Sequence, residues 1–145
     1  MKLAIIRVRG RRNMDPKIKK TLELLNLRRP NHCVLMEDTP YTKGMLNLTK
    51  DYVTFGAVTE PAILHLLTKR GRKGSKRLSE LSKEAEIKEM AKKLATDAKA
   101  KARDFVDPVF TLRPPSKGWR DIKRPFPGGD LGARPDVSAL IKRMA

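Results

Sequence analysis

The chain opens on an apolar, β-branched stretch whose end alternates with arginine, which predicts a strand over Lys2 to Val8 with Arg7 and Arg9 on the face opposite Ile6 and Val8. A basic loop, Gly10 to Asn13, then meets Asp15 and Pro16. This N-cap and first-turn proline start a helix whose Ile18, Leu22 and Leu25 share one face. Asn26 can end that helix in a left-handed conformation, and the turn Arg28 to Asn31 releases the chain into a second strand, Cys33 to Glu37. Thr39 and Pro40 repeat the helix-start chemistry, with Met45 and Leu48 marking the expected buried side of the second helix. Tyr52 to Phe55 reads as a third strand ended by Gly56, so residues 1–56 form a β-α-β-α-β unit.

A different pattern follows over 57–107. Thr59 and Pro61 begin a short helix with Ile63, Leu66 and Leu67 directed at a core, and Gly71 lies where a stop belongs. The basic linker Lys69 to Arg77 is expected to be irregular and mobile, because its charges and glycines oppose packing. A longer helix is expected within Leu81 to Phe105, where Ile87, Met90, Ala91, Leu94 and Ala98 make a narrow stripe that docks on one side. The third segment, 108–145, opens with a strand-like stretch, Val109 to Arg113, stopped by Pro114 and Pro115. Ser116 to Arg134 holds almost nothing to bury, and a last helix uses Val137, Leu140, Ile141 and Met144 to pin the C-terminus to the rest.

Charge changes this picture from a fold to a partner. Lys and Arg number 33 against 16 Asp and Glu, a net charge of +17 on 145 residues, so the chain repels itself unless a polyanion is at hand. Phospholipid is the competing polyanion, but no apolar run approaches the roughly 18 residues of a spanning helix and no signal-peptide pattern opens the chain. A cytosolic protein is expected. Cys33 is the single cysteine and His32 and His65 the two histidines, too few for a disulfide or a zinc site, so neither metal nor cofactor is expected. Aromatics make up 5%, which favours recognition of phosphate and shape over base stacking.

The segment NLRRPNHCVLMEDTPYTKGMLN, Asn26 to Asn47, resembles the signature of the L-thirty family of large-subunit ribosomal proteins, called L-seven in eukaryotes. Asn31, His32, Glu37, Asp38, Thr39, Pro40, Gly44 and Met45 occupy the positions of that pattern. Pro108 to Gly132 is similar to the extension of archaeal and eukaryotic members, which marks the chain as archaeal in type. It departs from the usual Pro-Pro-Arg-Gly-Gly run in having Ser116, Lys117, Gly118 and Trp119 after the prolines. The resemblance implies an α+β fold: a compact antiparallel sheet with helices on one face, plus the helical insertion and the basic C-terminal extension. It also implies a structural constituent of the large ribosomal subunit that binds large-subunit rRNA beside neighbouring ribosomal proteins, with 5S rRNA as a further candidate partner.

No chemistry competes well with that role. His32 and Cys33 are neighbours on a strand and point to opposite faces, so they cannot converge on one ligand. Glu37 and Asp38 are better explained as acids ahead of a helix N-terminus than as a catalytic pair. A P-loop, a dinucleotide fingerprint and a nucleophile–base pair are all missing from the sequence, so no enzyme is expected. Arg7, Arg9, Arg11 and Arg12, then Arg28 and Arg29, form clusters without compensating acids and are the first expected RNA contacts. His32 and Lys43 join them. Arg70, Arg72, Lys73, Lys76 and Arg77 make one expected flexible basic arm, and Arg113, Lys117, Arg120, Lys123, Arg124 and Arg134 a second. Trp119 either stacks on an unpaired base or packs its own loop against the core. An RNA-binding or RNA-chaperone protein outside the ribosome is the alternative of the same class.

Overall fold

The computed structural model describes residues 2–97 and 100–145. Its first part runs β1 (Lys2–Arg7), α1 (Pro16–Leu24), β2 (His32–Glu37), α2 (Pro40–Thr49) and β3 (Val53–Ala57), in the order the sequence predicts. Local chemistry sets the boundaries. Asp15 caps α1 by accepting the Lys17 N–H at 2.8 Å, and Thr39 caps α2 by accepting the Thr42 N–H at 3.2 Å. Asn26, at φ 60°, ends α1: the Leu27 N–H reaches the Leu22 carbonyl and the Asn26 N–H the Glu23 carbonyl, the paired bonds of a Schellman motif.

The remainder supplies α3 (Glu60–Arg70), a hairpin of β4 (Arg72–Lys73) and β5 (Lys76–Arg77), α4 (Leu78–Leu81) and α5 (Glu84–Thr96). β6 (Val109–Thr111), β7 (Gly132–Asp136) and α6 (Ser138–Met144) complete it. Five strands form one sheet in the order β6-β2-β1-β3-β7, antiparallel except for the parallel pairing of β7 with β3. The fold is α+β. On one face Leu3 and Ile5 of β1 pack with Leu22 of α1, Leu25 at its C-cap and Leu46 of α2. On the other, Ala4 and Ile6 meet Ile63, Leu66 and Leu67 of α3, Ile87 and Leu94 of α5, and Leu140 and Ile141 of α6. The helices of the N-terminal unit thus share one face, and the later helices cover the second.

The structure departs from the sequence reading in several places. β1 is the central strand and all six of its residues are buried, so the face carrying Arg7 is not solvated. Leu46, with Thr42 and Thr49, forms the inner side of α2, whereas Leu48 is exposed. The helix expected within Leu81 to Phe105 is the shorter α5, followed by a 3-10 turn over Ala102–Asp104; Ala98, expected in its stripe, lies outside the described residues. The linker is no coil. Its Arg72–Arg77 and Lys73–Lys76 pairs close a two-residue loop at Gly74–Ser75, with Gly74 at φ 64°, the sign that the first central position of a type II′ turn requires. β7 went unseen because Gly132 and Pro135 read as loop, yet Pro135 sits harmlessly on an edge strand. Gly56 permits that edge: a Cβ there would lie 2.2 Å from the Arg134 carbonyl oxygen.

Candidate nucleic-acid interface

Strand register decides where the basic residues meet. Arg7 pairs with Val53, Ile6 with Cys33, His32 with Thr111 and Thr54 with Gly132. The end of β1, the starts of β2, β3 and β7, and the end of β6 therefore lie at one end of the sheet. The loops carrying Arg9, Arg11 and Arg12, Arg28 and Arg29, and Arg113 through Arg124 all emerge there. α3 and α6 run back to the same end, since Arg70 lines a cleft with Arg113 and the Met144 carbonyl accepts the Arg113 N–H. The opposite end holds acids. Glu37, Asp97 and Asp104 surround Lys2, Glu60 starts α3, and Asp136 is in register with Ala57.

Within the basic end, side chains divide into presenters and fasteners. Arg11, Arg12, Arg28 and Arg29 are exposed, and Arg11 donates to the Arg28 carbonyl at 2.8 Å, which joins two loops distant in sequence. Arg11 and Arg28, with Lys19 and Glu23, line a cleft of about 710 Å³. Arg9 is half-buried and lies over the Tyr52 ring at 5.1 Å. Arg7 departs from the expectation of a phosphate contact. It is 3% exposed, and its guanidinium donates to the carbonyls of Leu27, Arg9 and Gly10, so it ties the loops together from inside. Burial first, and then the nearby Arg11, lower its pKa.

A second fastener is Arg134, which the sequence also suggested as a phosphate contact. Its guanidinium is paired with Asp130, bonds Thr54 Oγ1 at 2.9 Å and stacks over the Phe126 ring. Asp130 also accepts the Arg120 N–H. Around this acid the stretch expected as a free arm, Ser116 to Arg134, is a folded loop over 116–131 that runs into β7, with Leu131 buried and Trp119 packed against the core, so of the two roles open to Trp119 the loop anchor is the one observed. Arg143, which the sequence reading passed over, donates to the Ser116 and Gly118 carbonyls. The outward side chains of this loop are Lys117, Arg120, Lys123 and Arg124, the last 3.5 Å from Asp121.

The hairpin brings exposed Arg72, Lys73, Lys76 and Arg77 beside β6, opposite Arg113. Lys43 stands apart: it lies in the first turn of α2 and pairs with Asp38 at 3.2 Å. His32 begins β2, half-buried; burial first, then Arg29, Arg7 and Arg11, depress its pKa and hold it neutral near pH 7. Cys33 is wholly buried and behaves as a small apolar side chain. Among the described residues no His, Cys, Asp and Glu group is arranged to hold a metal ion, and no helix is long and apolar enough to cross a membrane.

Residues 3–53, from β1 through α2 to the first residue of β3, match the family described as ribosomal protein L30p/L7e. Similarity to known proteins extends over the whole chain. It is 41% identical to the large ribosomal subunit protein uL30 of Methanothrix thermoacetophila, over 97% of this chain and 98% of that one. Identity to the uL30 proteins of Methanococcus maripaludis and Archaeoglobus fulgidus is 40% and 39%, again over 97% or more of each chain.

Proposed function

The chain belongs to the ribosomal protein L30p/L7e family, and from that premise we propose that it braces folded large-subunit rRNA through the basic end of its sheet. As a large-subunit ribosomal protein it is a structural constituent of the ribosome and not an enzyme. The observation that carries the finer reading is the convergence of charge: loops from both halves of the chain deliver their arginines to one end of the sheet. Such an arrangement orients the molecule on a polyanion.

In this reading Arg9, Arg11, Arg12, Arg28 and Arg29 contact one RNA surface, held in place by the segment 1–56. The hairpin within 57–107 and the folded loop within 108–145 extend the contact through Arg70, Arg72, Lys73, Lys76, Arg77, Arg113, Lys117, Arg120, Lys123 and Arg124. Arg7 and Arg134 serve as internal fasteners and His32 as a neutral polar group at the rim. Trp119 holds the loop shape. The 5S rRNA and neighbouring ribosomal proteins are further partners in the proposal. Chemical footprinting of large-subunit RNA with and without the protein tests it: protection should map to riboses and phosphates in a confined region. Protection that is absent, or that is lost from particles washed in high salt, would favour a loosely associated chaperone instead.

A further inference from the structure

Arg70 at the end of α3, Arg72 and Arg77 on the hairpin and Arg113 after β6 come from three separate elements and converge on a cleft of about 570 Å³. Asp107 contributes the one acidic side chain of its lining, and that carboxylate is engaged by the Gly74 N–H at 3.2 Å, not by an arginine. The Arg70 Nε is buried without a hydrogen-bond partner, although a buried donor normally has one. Burial, followed by the charges of Arg113, Arg77 and Arg72, lowers the Arg70 pKa, which is what four like charges around an unfilled space should do.

We propose that this cleft is a discrete site for two consecutive phosphates of a sharply turned RNA strand. The inference rests on the rRNA-binding reading and adds a location and a ligand to it. Guanidinium groups bind phosphate oxygens in forked pairs, so four of them suit two phosphates better than one, and the concavity demands that the strand bend to place both. No aromatic side chain lines the cleft, which leaves the bases to face away. Gly74 has open space where a Cβ would stand, and Thr111 adds a hydroxyl at the sheet edge.

Inorganic pyrophosphate, which carries two linked phosphoryl groups, is the probe. Titrated into the full chain and followed by arginine side-chain NMR, it should shift the Arg70 Nε–H signal to saturation at one equivalent. Arg70→Gln and Arg113→Gln should each weaken this binding at least about tenfold, whereas Lys92→Gln on the exposed side of α5, an equal loss of charge, should change it less than about twofold. Shifts distributed evenly over all exposed arginines would overturn the site. If pyrophosphate binds as expected but Arg70→Gln retains wild-type affinity for large-subunit rRNA, the cleft serves a free phosphate ligand and its assignment to RNA is wrong. Failure of the wild-type chain to bind that rRNA, with pyrophosphate binding intact, would instead strike the proposed function.

Discussion

The Arg134 guanidinium closes on the Asp130 carboxylate four residues before it, and both side chains are only 11% exposed. Because the same carboxylate accepts the Arg120 N–H and Arg134 reaches Thr54, one acid fastens the 116–131 loop to β3 and β7. Asp130→Ala strands a charge in a nearly dry site. We expect it to cost about 3–5 kcal/mol of stability, measured by urea unfolding. The double replacement Asp130→Ala with Arg134→Met removes both charges and should recover part of that loss. Equal unfolding midpoints for the wild type and the single variant would rule out the fastening role.

Arg7 and Arg11 are four residues apart and should behave oppositely. Arg7→Gln removes donors from three backbone carbonyls, so it should lower stability by roughly 1–3 kcal/mol while leaving the salt dependence of RNA binding unchanged. Arg11→Gln should leave stability within about 0.5 kcal/mol and reduce the slope of log K against log salt by roughly 1. For the wild type, roughly eight phosphate contacts imply a loss of about three to five decades in affinity between about 50 and 200 mM salt. A flat salt response would remove the electrostatic basis of the interface.

These two arginines also show how far the sequence could be read. Short-range chemistry was legible, since the Asp15–Pro16 and Thr39–Pro40 caps and the Asn26 stop depend only on neighbouring residues. The docking residues of the later helices were legible too, but not the face they cover, because that layer is built by residues more than fifty positions downstream of β1. Arg7 is buried on the face that α1 and α2 cover, where carbonyls of separate loops receive it, and Leu48 is exposed; no local pattern announces either. The basic stretches misled for the same reason. Charge density argued for free arms, but a two-residue turn at Gly74 and the single acid Asp130 give them fixed shapes. The convergence of Arg70 with Arg113 is a product of register alone, and no local pattern announces it.

Gly56 should tolerate no side chain. Its missing Cβ makes room for the Arg134 carbonyl and for Val137, so Gly56→Ala must push β7 off β3. The expected cost is about 3 kcal/mol or more, with faster hydrogen exchange confined to Gly132–Asp136 and α6. Unchanged exchange in that edge would contradict the close approach.

Cys33 gives a pH signature with a definite sign. Burial pushes its thiol from 9.0 up to about 12, so the folded state holds the proton more tightly than the unfolded chain does. At any pH below the unfolded value both states are protonated and the contribution to stability is fully present. Between about pH 9 and pH 12 the unfolded thiol ionises first, and stability is progressively lost as pH rises. Cys33→Ala lacks this titration. The stability difference between wild type and Cys33→Ala, followed by urea unfolding from pH 8 upward, should therefore shrink, and by an amount on the order of a few kcal/mol before pH 12. Lysine and tyrosine titrations are common to both chains and cancel in the difference. A difference independent of pH, or a native thiol that reacts with a disulfide reagent at pH 8 as fast as in urea, would mean that Cys33 is accessible to solvent and that the layer over this part of the sheet is open.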